Sequence, residues 1–201
     1  MTLKHQLDQD FRERSNWVLR RQSGIPNNRR LWVCACMDER LPINEALGIR
    51  GDDGDAHVFR NAGGIITDDA IRSALLSCHF FGTEEIVIVN HTECGMMAAH
   101  TDTLMQAFRD QGIETEAVQL DPEVPELALE EGAFGKWLRM FDGRSVDDIC
   151  AAQVDHIRNH PLIPEHVTVS GWVWEVETSH LRPPHHRLGG RVNNAREMGG
   201  K

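Results

Sequence analysis

No stretch of this 201-residue chain stays apolar for the roughly 20 residues that a helical membrane crossing needs. Basic side chains are scarce: 21 lysines and arginines stand against 31 aspartates and glutamates, a formal net charge of −10. A phosphate backbone is held by concentrated Lys and Arg, so nucleic acid is excluded as a partner. A cysteine framework is also missing. The five cysteines, at positions 34, 36, 78, 94 and 150, are odd in number and irregular in spacing, which argues against a disulfide-stapled secreted fold. The start, "MTLKHQLDQDFRERSNW", is charged throughout and carries no apolar core of a secretory signal. These absences point to a cytoplasmic chain with reduced thiols and no membrane partner. Internal repeats are lacking too, and apolar periodicity fails only in the tail, where "RPPHHRLGGRVNNAREMGGK" gathers Pro, Gly and Asn. The length suits one domain over 1–201, with an amino-terminal helical arm over 1–30 and a tail over 183–201 that lies at a subunit interface.

What is present alternates between two patterns. "RLWVCAC" predicts a short buried strand, and "PINEALGI" a short helix with Pro42 in its first turn. "AHVFRNAGG" predicts a second strand ending in a glycine pair. In "ITDDAIRSALLSCHFFG", Thr67 can cap a helix whose dipole suits Asp68 and Asp69, and apolar residues recur at helical spacing until Gly82. "EIVIVN" is the continuous β-branched run of a strand covered on both faces, and "HTECGM" is the loop at its carboxyl end. Further helices are expected around 97–111, 127–141 and 145–159, the last started by Ser145, and "HVTVSGWVWEVET" supplies one or two more strands. Strand, helix, strand, repeated, predicts an α/β fold: a central, mainly parallel β-sheet flanked by helices.

In such a sheet, functional groups collect beyond the carboxyl ends of the strands, where both "CMDER" and "HTECG" fall. Cys36, His91 and Cys94 can therefore converge. Two thiolates and an imidazole are what a tetrahedral zinc site uses when its fourth position is left to water. Cys34 is a rival ligand, sharing a strand face with Cys36 one step deeper, although a small buried hydrophobe suits it better. Cys78 and Cys150 are expected in helix packing. Beside the metal, Asp38 is placed to orient a nucleophilic water and Arg40 to hold Asp38; the competing view is an exposed ion pair of little weight. Phe59, Phe80, Phe81, Met96 and Met97 are candidates for an apolar route to the site, or else plain core. Two other classes remain in view. A structural zinc module would want a fourth protein ligand, and a thiol redox protein a bridgeable cysteine pair, which two residues on one strand do not make.

With Cys36, Asp38, Arg40, "RNAGG", His91 and Cys94 in place, the chain resembles the β-class carbonic anhydrases, whose signatures are C-x-D-x-R and H-x-x-C. The resemblance implies one zinc per chain on Cys36, His91 and Cys94, Asp38 and Arg40 as the catalytic dyad, and a homo-oligomer of two chains or more. Within that family, "RRQSGIPNNRRLWV", "DAHVFRNAGGIITDDAIRSA", "FFGTEEIVIV" and "NHPLIPEHV" look like the branch that hydrolyses carbon disulfide and carbonyl sulfide. Tyrosine is absent from the chain, so a pocket that uses one is ruled out. The resemblance thus implies a zinc hydrolase that converts carbon disulfide, through carbonyl sulfide, to carbon dioxide and hydrogen sulfide. Hydration of carbon dioxide is the alternative. Either substrate is a small, neutral triatomic molecule, to which a net charge of −10 is indifferent at long range.

Overall fold

The strand β1, Leu31–Cys36, is buried at all six positions, and β3, Glu85–His91, at every position but its first. Strands that hide both faces read as unbroken apolar runs, and these two occupy the middle of the sheet. The computed structural model describes Gln22 and residues 24–50, 54–116 and 118–185. Most of the amino-terminal arm and the tail beyond His185 lie outside the described residues; within the arm, residues 24–30 make a turn closed by Arg30 N–H to Asn27 O at 2.9 Å.

After β1 come α1 (Ile43–Ala46), β2 (Ala56–Asn61), a 3-10 turn at Ala62–Gly64 and α2 (Asp68–Phe81), which leads into β3. Then follow α3 (Gly95–Ala98), α4 (Thr101–Asp110), α5 (Phe134–Leu138), α6 (Val146–Arg158), β4 (Thr168–Glu175) and β5 (His180–Arg182). The sheet order is β2-β1-β3-β4-β5, parallel except for the antiparallel β4–β5 pair. Alternate residues of the central strands feed two cores. Leu31, Val33, Ala35, Val87 and Val89 pack with Leu41, Ile65 and Phe141, whereas Trp32, Cys34, Ile86 and Ile88 pack against α2 and α6. Each large apolar side chain hidden in this way contributes about 1.5–3 kcal/mol relative to exposure.

The helix α2 has the ends its sequence predicts. Thr67 Oγ1 accepts from Ala70 N at 3.3 Å, and Gly82 closes it in the left-handed region, φ 65°, with its N–H on Ser77 O. Ser145 caps α6 in the same way through Asp148 N at 3.1 Å. Two expected helices are cut short. The 97–111 segment breaks because Ala99 and His100 are extended, and α4 restarts where Asp142 accepts the Thr101 N–H at 2.7 Å. The 127–141 segment shrinks to α5, preceded by Gly132 at φ 74° and ended by Arg139 at φ 51°. Among the described residues, no helix is long and apolar enough to cross a membrane.

The glycine pair after β2 has a specific task. Gly64 has φ 63°, and a Cβ on it would lie 2.8 Å from Cys36 N and 2.9 Å from Val89 O. Only a residue without a side chain lets the turn sit on the backbone that carries Cys36. Asn90 holds the same turn from the other side, donating from Nδ2 to Gly63 O at 2.7 Å and to Gly64 O at 3.2 Å.

Candidate metal centre

The chain leaves β1 toward β2 on one side and crosses over β1 to reach β3 on the other, so the order reverses between β1 and β3. Sites in open α/β sheets form at the carboxyl ends of such a strand pair. Cys36 ends β1 and His91 ends β3. Cys94 follows three residues on, immediately before α3. Their donor atoms all lie within 4.8 Å of one another, with the two sulfurs 4.0 Å apart, and all three side chains are buried.

This proximity sets the electrostatics. The Cys36 thiol is pulled down, chiefly by the hydrogen bond that Cys94 offers its sulfur, against the effect of burial. The Cys94 thiol is pushed up, because it keeps the shared proton and is buried. His91 Nδ1–H donates to Thr92 O at 2.8 Å, which leaves Nε2 as the bare, lone-pair-bearing nitrogen. That nitrogen is buried without a hydrogen-bond partner. A buried acceptor with no donor beside two thiols suits a soft cation, and two thiolates with one imidazole are a donor set that zinc takes with one position open.

Asp38 stands at the edge of this cluster, its Oδ2 3.8 Å from His91 Nε2. Arg40 grips both of its oxygens: Nε to Oδ1 at 3.0 Å, Nη2 to Oδ2 at 2.8 Å, and the Arg40 backbone N–H to Oδ1 at 2.9 Å. These bonds hold the Asp38 carboxyl well below the usual carboxylate range, the side-chain bonds from Arg40 contributing most. The guanidinium also reaches the loop that carries Cys94, donating to Glu93 Oε2 at 3.2 Å and to Glu93 O at 3.0 Å. So the pair is no isolated surface ion pair: Arg40 ties the loop of Cys36 to the loop of Cys94. The second loop is fixed independently by Thr92, whose N–H bonds Trp174 O at 3.0 Å and whose hydroxyl accepts from Val176 N at 2.9 Å and donates to Glu177.

Sequence reasoning missed Glu93, although it lies inside "HTEC", because its partner is 53 residues away. It also missed Arg60, quoted only as part of "RNAGG"; a basic residue at the end of the strand beside β1 was the available signal. Cys34 packs in the core on the α2 side, its Sγ 3.9 Å from Ile65 O, and burial pushes its thiol up to about 12. Cys78 and Cys150 are buried as well, and none of the five cysteines is in a disulfide. Two candidates for an apolar route are displaced. Phe80 and Phe81 end α2, next to the start of β3 and so at the opposite end of the sheet from the cluster, with Phe80 76% exposed. Met96 and Met97 do pack against the core that contains Cys36 and Cys94. A cavity of about 650 Å³, lined by Phe59, Ile65, Leu120, Phe134 and Trp137 among others, touches the 62–64 turn but none of the three donor residues.

An α/β sheet with Cys, His and Cys at the ends of its switch-point strands defines a metal-binding class. The family model described as carbonic anhydrase matches residues 31–181, and the chain belongs to that family, whose metal is zinc. It is 68% identical to a carbon disulfide hydrolase of Acidithiobacillus thiooxidans over the whole of both chains. It is 32% identical to β-carbonic anhydrase 1 of Mycobacterium tuberculosis over 157 residues, 78% of this chain and 83% of that one. Among solved structures, the apo form of a carbon disulfide hydrolase superposes with a TM-score of 0.76 at 43% identity, covering 99% of this chain and 98% of that one. A carbonic anhydrase from Glaciozyma antarctica superposes with a TM-score of 0.66 at 28% identity, covering 90% and 95%.

Proposed function

We propose that this chain is a zinc-dependent hydrolase of carbon disulfide, acting through carbonyl sulfide, with Cys36, His91 and Cys94 holding one zinc per chain. The observation that carries the chemistry is the cluster of these three donors with Asp38 beside the unpartnered His91 nitrogen. The choice of substrate is supported by likeness to carbon disulfide hydrolases along the entire length, far outside the metal motifs.

When bound, zinc supplies a Lewis acid that makes a water nucleophilic at neutral pH. The protein supplies the rest. Asp38, ionised and acceptor-only, would take a hydrogen bond from the attacking water and so turn the water's own lone pair toward the substrate carbon. Arg40 occupies both oxygens of that carboxylate, which keeps Asp38 from swinging into the donor set itself, and Glu93 anchors Arg40. The substrate is uncharged, so no cationic pocket is required; Met96 and Met97 give polarisable, apolar surroundings near the cluster. In sum, carbon disulfide and water give carbonyl sulfide and hydrogen sulfide, and carbonyl sulfide with a second water gives carbon dioxide and a second hydrogen sulfide. A cytoplasmic, reducing setting suits the five free, buried thiols.

Specificity constants for carbon disulfide, carbonyl sulfide and carbon dioxide, measured on one preparation of known zinc content, test the reading. The two sulfur compounds are expected to be turned over with sulfide release. Rapid hydration of carbon dioxide without any sulfide would instead favour carbonic anhydrase activity, the second reading, which the same donor set and the 32% likeness to the mycobacterial enzyme support.

We also propose that the working unit is a homo-oligomer. Among the described residues β2 pairs only with β1, leaving its outer edge free, and Val58 on it is exposed. Leu76, Phe80 and Phe81 add exposed apolar surface on α2. Open edges and apolar patches of this kind are ordinarily covered. Light scattering at micromolar concentration should give the mass of at least two chains; a single-chain mass overturns the proposal.

A further inference from the structure

Near the end of β2 lies a guanidinium to which the reaction scheme above gives no part. Arg60 Nε donates to Cys36 O at 2.9 Å, and its Nη2 donates to Asp38 O at 2.6 Å and to Leu41 O at 3.4 Å. One planar side chain therefore spans the loop from the thiol ligand, past the carboxylate, to the residue that re-enters the core. Arg60 braces these carbonyls from outside the loop. β1 stops at Cys36 and α1 begins only at Ile43, so no regular ladder reaches the residues between. The backbone gives the loop irregular turn bonds in place of a ladder: Met37 N–H to Asn61 O at 2.8 Å, Leu41 N–H to Asp38 O at 3.2 Å and Ile43 N–H to Leu41 O at 3.0 Å.

All three Arg60 contacts are to main-chain oxygens, and they need the fork of a guanidinium. A lysine ammonium is a point donor on a flexible stem and cannot reach Cys36 O and Asp38 O in the same fixed geometry. The opposite side of the loop is held by Arg40, which sits on the Asp38 side chain and on Glu93. Arg60 thus fixes the main chain of Asp38 while Arg40 fixes its carboxylate. A carboxylate on an irregular loop needs both, because a side-chain grip alone lets loop and side chain move together.

We propose that Arg60 is a positioning residue for the zinc site: it locks the 36–41 main chain so that Cys36 and Asp38 keep their places relative to His91 and Cys94. This rests on the zinc-hydrolase reading above. Removing the fork takes a side-chain donor from all three carbonyls and loosens a metal ligand and the carboxylate together, and a displacement of about 1 Å at a reacting geometry costs on the order of 10²-fold in rate.

The test uses Arg60→Lys and Arg60→Ala in the full chain, each in the native and in the Asp38→Asn background, with zinc affinity read by chelator competition and kcat and KM read for carbonyl sulfide. Arg60→Lys is expected to fold, to bind zinc roughly 10–100-fold more weakly, and at saturating zinc to lose about 10²-fold in kcat with KM unchanged. In the Asp38→Asn background the same substitution should lower kcat far less, because the geometry it disturbs has already lost its function. Equal losses in the two backgrounds, or native zinc affinity and native kcat in Arg60→Lys, overturn the proposal. If Arg60→Ala does not fold, Arg60→Lys decides alone. Should the native protein turn over no triatomic substrate, the hydrolase reading fails by itself; the zinc affinity of Arg60→Lys then decides whether Arg60 fixes the loop of Cys36.

Discussion

Cys36→Ser is expected to strip the protein of zinc and of turnover together, while Cys34→Ser keeps both. A serine hydroxyl is a harder donor than a thiolate and stays protonated at neutral pH, so it cannot replace a ligand that the surroundings already favour as the anion. The purified Cys36→Ser protein should carry less than about a tenth of a zinc per chain, since a site with one thiolate and one imidazole loses most of its binding free energy. Hydrolysis of carbon disulfide should drop to the uncatalysed rate. Cys34 lies two residues deeper, about 6.6 Å along the strand, inside the core that packs on α2 and α6. Its replacement puts a hydroxyl at a fully buried position whose nearest polar contact is Ile65 O. That costs about 1–3 kcal/mol of stability, visible as a lower melting temperature, with zinc content and kcat preserved. Metal analysis of the two variants decides the matter: zinc retained by Cys36→Ser and lost by Cys34→Ser would reverse the ligand assignment.

Much of the fold is legible because central strands covered on both faces announce themselves as apolar runs, and because α2 and α6 carry their caps in the local sequence. The convergence of Cys36, His91 and Cys94 is legible for a related reason. These residues sit in two short phrases, each at the end of a strand that can be recognised, and the topology rule brings those ends together. What failed depends on partners distant in sequence. The break between α3 and α4 is stabilised by Asp142, 41 residues beyond Thr101, and nothing near residue 100 foretells it. Glu93 and Arg60 act through partners 53, 24, 22 and 19 residues away, and a charged residue in a loop carries no local sign of what it will face. Phe80 and Phe81 misled for a topological reason. A crossover helix runs back to the start of the next strand, so its last residues finish at the end of the sheet opposite the site, however apolar they are.

Asp38→Asn is expected to keep zinc and lose most of the turnover, by about 10²–10⁴-fold in kcat, the range typical of a lost proton acceptor. The substitution changes almost no volume, and Asp38 is not one of the three clustered donors, so metal content should stay at one zinc per chain. The damage follows from hydrogen-bond inventory. Arg40 presents only donors, through Nε, Nη2 and its backbone N–H, and in the native protein both carboxylate oxygens accept from them. An amide has one oxygen, which Arg40 will claim, and its NH2 must then face the position where the attacking water needs an acceptor. The variant therefore turns a proton acceptor into a donor at the point where the O–H must be received. It also weakens a charge-assisted grip to a neutral one, so Arg40 should hold the loop of Glu93 less firmly. Kinetics for carbonyl sulfide and carbon disulfide at matched zinc content provide the check. A fully active Asp38→Asn protein would remove the carboxylate from the mechanism, and loss of zinc in the same variant would make Asp38 a support of the metal rather than of the nucleophile.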